Sequence, residues 1–201
     1  MYATDCITIA LLAFLVGSIP FGILLAKLFG LPDPRTLGSG NIGATNMLRT
    51  GRKDVAALTL LLDALKGALP VIFVDHVLHG SPAEVALALL GALIGHCYTP
   101  WLKGKGGKGV ATALGGAYAL NVGMGLVFCI AWFLLFKLTR YVSLASIASL
   151  ITLPVCALFF YDLPTALILA FAAAIGIWRH KENIKRLRAG TEPKMGGKRH
   201  G

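Results

Sequence analysis

Acid is scarce in this sequence. Its 201 residues carry nine aspartates and glutamates against nineteen lysines and arginines, and charged residues of both signs make up only 14% of the chain. With 56% hydrophobic residues and a mean hydropathy of +0.74, the composition excludes a soluble domain and fits an integral membrane protein. Paired cysteines are missing too. Cys6, Cys97, Cys129 and Cys156 lie singly in apolar runs with no C-x-x-C spacing, so they are expected to be buried packing residues, without disulfide or zinc roles. The opening MYATDC has no basic region ahead of the first apolar run, which argues against a cleaved signal peptide and for a first span there. No internal repeat is visible, which weakens a transporter built on inverted halves.

What the sequence does have is long apolar runs, at 6–29, 55–78, 83–101, 109–137, 143–160 and 163–178. As one helix, 109–137 would stretch to roughly 43 Å at the helical rise, well beyond the ~30 Å hydrocarbon core. Asn121 and Gly123 interrupt it near the middle. Basic residues decide between one helix and two, since positive charge collects in cytoplasmic loops. Splitting at Asn121 puts seventeen of the nineteen lysines and arginines on one face: Arg35, Arg49, Arg52 and Lys53; Lys103, Lys105 and Lys108; Lys137 and Arg140; and the tail from Arg179 to Arg199. Only Lys27 and Lys66 remain inside spans, and the other face holds Asp5, Asp75, Glu84 and Asp162. The expected architecture is therefore all-α: a single membrane-embedded domain over 1–201 with seven transmembrane helices, N-terminus outside, C-terminus cytoplasmic, and spans four and five short.

Three polar constellations then share the cytoplasmic face. In LPDPRTLGSGNIGATNMLRTGRKD, residues 31–54, prolines and glycines deny a regular helix until about Ala44. Ser39, Asn41, Thr45 and Asn46 supply hydroxyl and amide groups, and Arg49 follows. A solvated connector would explain the composition; a functional loop would explain the length. In WLKGKGGKGVAT, residues 101–112, Gly104, Gly106 and Gly109 satisfy G-x-G-x-x-G, but a helix precedes them where a dinucleotide site needs a strand. The Walker pattern fails as well, with Val110 where lysine is required. A glycine loop opening a helix still offers free amides and the positive dipole end to an anion, and Lys105 and Lys108 add charge. A topology signal alone would account for the lysines but not for the glycines. In WRHKENIKRLRAGTEPK, residues 178–194, His180 and Asn183 share a face of a helix continuing from the last span, Arg179, Lys185, Arg186 and Arg188 surround them, and the distal arginines suit anionic lipid. Asp63 and Lys66, one turn apart in the second span, read as a structural ion pair near mid-bilayer. Arg140 and Ser143 lie at the membrane surface.

Taken together, GSIPFG at 17–22, GLPDPRTLGSGNIGATNMLR at 30–49, LDALKGALP at 62–70, GHCYTPWLKGKGGKGVAT at 95–112 and HKENIKRLRAGTEPK at 180–194 resemble the bacterial acyl-phosphate-dependent glycerol-3-phosphate acyltransferases, the PlsY family, over essentially the whole chain. The resemblance implies a multi-pass enzyme of the bacterial cytoplasmic (inner) membrane with its site facing the cytoplasm. It would transfer a fatty acyl group from acyl phosphate to the 1-hydroxyl of glycerol 3-phosphate, giving lysophosphatidic acid and inorganic phosphate, an early step of phospholipid synthesis. The implied catalytic residues are Ser39, Arg49, His180 and Asn183. The implied substrate-binding residues are Asn41, Thr45, Asn46, Lys105, Gly106, Gly107, Lys108, Gly109, Thr112 and Ser143. No metal or cofactor is expected, and the partners are the two substrates and membrane lipids, with no nucleic acid and no obligate protein partner. The terminal MGGKRHG matches nothing assignable.

The residue chemistry suits two anionic substrates. Arg49 can fork onto two phosphate oxygens, and His180, or the departing phosphate, can take the hydroxyl proton. Ser39 reads as a binder or orienter of substrate. No His followed five residues later by Asp is present, and none of Asp33, Asp54, Glu182 and Glu192 has a placement the sequence can argue for. A carrier for phosphorylated anions is the competing reading, and a lipid-binding scaffold is a third.

Overall fold

A computed structural model describes residues 3–196, so Lys198 and Arg199 of the basic tail and most of MGGKRHG lie outside the described residues. The described chain is all-helical. The first apolar run forms α1 (Ala3–Gly17) and α2 (Phe21–Leu28), broken at Ser18–Pro20, where proline cannot donate to the preceding turn. The first loop contains a one-turn helix, α3 (Ala44–Met47), and leads into α4 (Lys53–Ile72). Then follow α5 (Pro82–Cys97), α6 (Val110–Leu120), α7 (Val122–Thr139), α8 (Val142–Phe160), α9 (Leu163–Arg179) and α10 (Lys181–Arg188). By length and composition, five helical segments among the described residues can cross a membrane, or six if the bent pair α9–α10 counts as one span.

The break expected at Asn121 is present, and its cause is capping. The Asn121 amide closes α6 on Ala117, while its side-chain oxygen accepts from the amides of Gly123 (2.8 Å) and Met124 (3.3 Å) and so opens α7. Of the two helices, only α6 is short, at 11 residues; α7 has 18 and meets the length of a span, contrary to the expectation that both would be short. The helix expected to continue past Arg179 instead bends by 61° at His180.

Packing brings α6 into the interior. It lies against α4, and α1 against α5, while α7, α8 and α9 follow in sequence around the other side. Glycine makes the α4–α6 approach possible: a Cβ on Gly67 would overlap the Thr112 carbonyl, and one on Gly115 would overlap the Ala64 carbonyl. Large apolar side chains such as Leu61, Leu65, Ile130 and Phe171 stay on the outside, as lipid contact requires. Asp63 and Lys66 are both 2% exposed and pair at 2.7 Å, and the Lys66 ammonium also donates to the Ile19 carbonyl at the α1–α2 break (2.7 Å). Asp5, His79 and Glu84 border a small cavity at the end of the bundle opposite the basic loops.

Candidate active site

A cavity of about 1230 Å³ opens at the basic end of the bundle. Ser39, Asn41, Thr45, Asn46, Arg49, Lys108, Gly109, Ser143, His180 and Asn183 all border it, so residues from all three constellations meet in one space. Away from them the wall turns apolar, with Leu60 of α4, Leu114 of α6, and Phe128, Trp132 and Phe133 of α7.

The first loop builds itself around one amide. Asn46, 2% exposed, donates to the carbonyls of Pro34, Leu37 (3.0 Å) and Asn41 (2.8 Å), and its oxygen accepts from the Ser39 amide (3.3 Å). Both of its amide hydrogens are thereby engaged. Although it borders the cavity, its side chain shapes the loop, a departure from the expected substrate contact. Asp33 accepts from the Arg35 amide and pairs with its guanidinium, which holds the Asp33 carboxyl below the usual range. Ser39, Thr45 and Arg49 are left exposed. Arg49 lies across Gly38, whose φ of +47° and lack of a side chain make room for the guanidinium, and among the described residues it has no acidic partner.

The glycine loop has a different reason for its glycines than the expected row of free amides. The Gly106 and Gly107 amides already donate to the carbonyls of Cys97 (3.2 Å) and His96 (3.0 Å). A Cβ on Gly106 would overlap the His96 carbonyl, and one on Gly107 would meet the His96 imidazole. These glycines seat the loop on the end of α5. From the other side, Arg179 donates to the carbonyls of Gly106 (2.8 Å) and Gly107 (3.0 Å). Neither glycine borders the cavity, and neither does the exposed Lys105. Thr112 is fully buried between α6 and α4, also away from the cavity, with its hydroxyl unpartnered. Of the expected loop contacts, Lys108 and Gly109 reach the cavity; the amides left for an anion are those of Lys108, Gly109 and the first turn of α6.

A polar chain joins this loop to the tail. Lys108 Nζ donates to Asn183 Oδ1 (2.6 Å), Asn183 Nδ2 to Glu192 Oε1 (2.6 Å), Ser143 Oγ to the same oxygen (2.6 Å), and Arg186 Nε to Glu192 Oε2 (2.7 Å). Burial works to raise the Glu192 carboxyl, and the bonds from Ser143, Asn183 and Arg186 outweigh it, so it titrates below the usual range. Glu192 reaches back because α10 ends on Gly190 at φ +69°, with the Thr191 amide returning to the Arg186 carbonyl (2.8 Å). Burial, opposed by Glu192, lowers the Lys108 ammonium to about 8. His180 is 2% exposed, and its Nδ1 donates to the Gly176 carbonyl (2.7 Å), leaving Nε2 without a proton. Burial first, then the Lys108 charge, lowers it to about 4. The bend after α9 keeps His180 and Asn183 one turn apart, so both still reach the cavity.

Sequence reasoning missed Glu192, which sits inside the quoted third motif but needs the turn at Gly190 to gain its partners. It gave Arg179 no role beyond the basic cluster around His180 and Asn183. Asp63 and His96 border the cavity as well, with Asp63 Oδ1 3.7 Å from His96 Nδ1; a helical pair one turn apart gave no sign of that neighbour.

The family model described as glycerol-3-phosphate acyltransferase matches residues 7–190. Proteins named glycerol-3-phosphate acyltransferase from Rhodopseudomonas palustris strain HaA2 (47% identical over 94% of this chain and 95% of the relative) and Erythrobacter litoralis (43%, 98% of each) are similar along nearly their whole length. Crystal structures of PlsY, an integral membrane glycerol 3-phosphate acyltransferase, are similar in its glycerol 3-phosphate form (TM-score 0.89, 37% identity, 95% of this chain and 96% of that one) and in its lysophosphatidic acid form (TM-score 0.87, 36%, 95% of each). With the family model covering 7–190 and a multi-pass membrane fold held in common, this chain belongs to the glycerol-3-phosphate acyltransferase family.

Proposed function

We propose that this chain transfers a fatty acyl group from acyl phosphate to the 1-hydroxyl of glycerol 3-phosphate, releasing lysophosphatidic acid and inorganic phosphate. The observation that carries the reading is the mixed lining of the cavity: the cations Arg49 and Lys108, and an apolar trough of Leu60, Leu114, Phe128, Trp132 and Phe133 from α4, α6 and α7. Two phosphates need a dense positive field to approach each other, and an acyl chain needs an apolar wall. A carrier needs no such trough.

In this reading Arg49, with Ser39, Asn41 and Thr45 beside it, holds one phosphate. Lys108 and the opening amides of α6 hold the other. The glycerol hydroxyl oxygen attacks the acyl carbonyl, the bond from that carbon to the phosphate oxygen breaks, and phosphate leaves. The hydroxyl proton passes to His180 Nε2 or to the departing phosphate. With its pKa held near 4, His180 stays neutral at ordinary pH with Nε2 free to accept a hydrogen bond from the hydroxyl, which leaves the departing phosphate the stronger base. Asn183 and Ser143, tied to Glu192, keep Lys108 aimed. The anhydride is already activated, so neither a covalent serine intermediate nor a cofactor is invoked.

The topology belongs to the same proposal: one domain with seven spans, α6 being the short one, N-terminus outside and the site facing the cytoplasm across the bacterial inner membrane. The collection of basic loops at one end supports it. In a cysteine-free background Val122→Cys reacts with an impermeant thiol reagent from outside, and Arg188→Cys only after the membrane is opened; labelling of 188 from outside contradicts the topology.

The activity is tested with purified protein in detergent. Inorganic phosphate is released only when acyl phosphate and glycerol 3-phosphate are both present, and equal turnover with acyl-CoA overturns the donor assignment. Uptake of glycerol 3-phosphate into sealed vesicles without any acyl donor would favour the carrier.

A further inference from the structure

We propose that Asp63 is a positioning residue for the glycine loop: it orients the His96 ring on which that loop rests, and through the ring it sets where Lys108 stands in the cavity. GSIPFG at 17–22 and LDALKGALP at 62–70 lie outside the three polar constellations, and this support is their part in the site. Where the chain breaks between α1 and α2, the Ile19 carbonyl accepts from the Lys66 ammonium (2.7 Å), which also lies over the Phe21 ring at 5.6 Å. The segment that follows α5 is tied to the same break, with Thr99 Oγ1 donating to the Ser18 carbonyl (2.6 Å) and Trp101 Nε1 to Ser18 Oγ (2.9 Å). Lys66 is thereby held in place, and its 2.7 Å pair with Asp63 holds the carboxylate one turn earlier on α4.

Asp63 Oδ1 then stands 3.7 Å from His96 Nδ1, and among the described residues neither atom has a hydrogen-bond partner although both are buried. At that separation the carboxylate acts on the ring by its charge and not by a hydrogen bond. It favours the neutral tautomer with the proton on Nδ1, turned towards the oxygen. Nε2 is left beneath Gly107, where a Cβ would overlap it. The backbone completes the seat, with the Gly107 amide on the His96 carbonyl (3.0 Å) and the Gly106 amide on the Cys97 carbonyl (3.2 Å). Lys108 is the next residue, and its Nζ meets Asn183 at the cavity wall. A rotated ring lifts Gly107 and carries Lys108 with it, and a cation that must meet a phosphate oxygen at hydrogen-bond distance tolerates little displacement. A purely structural ion pair needs Lys66, but it needs neither a histidine facing the carboxylate nor a place on the cavity wall.

The inference rests on Lys108 holding a substrate phosphate and is indifferent to which of the two it holds. Asp63→Asn keeps the size of the side chain but offers an N–H to Nδ1, so the imidazole proton moves to Nε2. In the isotope-labelled full chain in detergent, the ring-nitrogen signals of His96 therefore report a protonated Nδ1 in the wild type and a protonated Nε2 in Asp63→Asn. A protonated Nε2 in the wild type, or the same tautomer in both, overturns the proposal. With palmitoyl phosphate and glycerol 3-phosphate, Asp63→Asn lowers kcat/KM about tenfold or more. Combining it with Lys66→Met removes both buried charges together, which restores the melting temperature and leaves the rate low. Adding Gly107→Ala to Asp63→Asn costs little beyond the larger single loss, since both act at one seat. If Asp63 serves only the fold, the rate returns with the melting temperature in the doubly neutral variant, and the losses with Gly107→Ala multiply; either result contradicts the positioning role. Failure of the wild type to turn over these substrates sinks the proposed reaction alone. Amide exchange then decides: the Gly106 and Gly107 amides exchange faster in the doubly neutral variant than in the wild type while those of α5 keep their rates, and equal exchange at the two glycines overturns the inference.

Discussion

The polar frame of the loop from Leu102 to Gly109 is bonded to other parts of the molecule, whereas that of the loop from Gly30 to Arg52 is bonded largely within itself, with apolar groups such as Ile42 and Met47 set against α2 and α4. The glycine loop is bonded to the carbonyls of His96 and Cys97 on one side and to Arg179 on the other. Its Lys108 is tied to Asn183 at 2.6 Å. The first loop folds on Asn46 and sends Ser39, Thr45 and Arg49 outward, and among the described residues no side-chain partner fixes their ends. A cation built into the bundle is preorganised for an anion that must sit in one place. A cation on a self-supporting loop is suited to a substrate that has to enter from water and leave again.

The strongest way to break that contrast is Gly107→Ala. The added methyl would fall on the buried His96 imidazole, so the ring or the loop must shift. Displacing the loop by an ångström is expected to reduce kcat/KM about a hundredfold, measured beside a melting curve confirming that the protein remains folded. Asn46→Ala comes next: it leaves three carbonyls and the Ser39 amide without their partner, and turnover should fall about tenfold or more through misplacement of Arg49. Hydrogen exchange should quicken at 34–47 and stay unchanged at 103–109.

Arg49→Lys sharpens the comparison. The charge remains and the fork is lost, so the KM for the phosphate it holds should rise about tenfold with kcat less affected. The pH profile separates the loops differently. Since the Lys108 ammonium sits at about 8, kcat/KM should fall as pH rises through 8, and Lys108→Arg should move that limb upward by keeping the charge. On the acid side His180, at about 4, stays neutral where an ordinary histidine would be charged, so activity should persist below pH 6. Its folded value lies below its unfolded one, so the unfolded state binds the proton first. Its contribution to stability is present above about 6.5 and lost as pH falls through 4. The smallest effect is expected at Gly51, where a methyl meets open space and only the φ of +84° resists it. Gly51→Ala should cost about 1 kcal/mol of stability and leave turnover within about twofold.

The same contrast explains what could be read from the sequence. The first loop is local: its prolines, glycines and amides within residues 31–54 contain both its frame and the groups it turns to the cavity, and Ser39 and Arg49 border that cavity. Asn121 was legible for the same reason, because a cap uses its own neighbours. The glycine loop depends on partners as many as 75 residues away. From the sequence, Gly106 and Gly107 look like donors to an anion; only the packing of α5 and α9 reveals that their amides and carbonyls are already bonded. Thr112 was misjudged because α4 fits against that face of α6 through Gly67, a contact no spacing announces. Glu192 was hidden by the turn at Gly190, which brings it back to Ser143, Asn183 and Arg186, and Arg179 by the packing of the glycine loop against the end of α9.

At the centre of the account is direct transfer between two anions held in one cavity at the same time, with Ser39 orienting and not acylated. Ser39 is exposed, and among the described residues its hydroxyl has no hydrogen-bonded base. The decisive measurement is a matrix of initial rates in which acyl phosphate and glycerol 3-phosphate are varied against each other. Double-reciprocal lines that intersect are the predicted result, since both substrates must be bound before the acyl group moves. Parallel lines, with an acylated protein trapped in the absence of glycerol 3-phosphate, would contradict it.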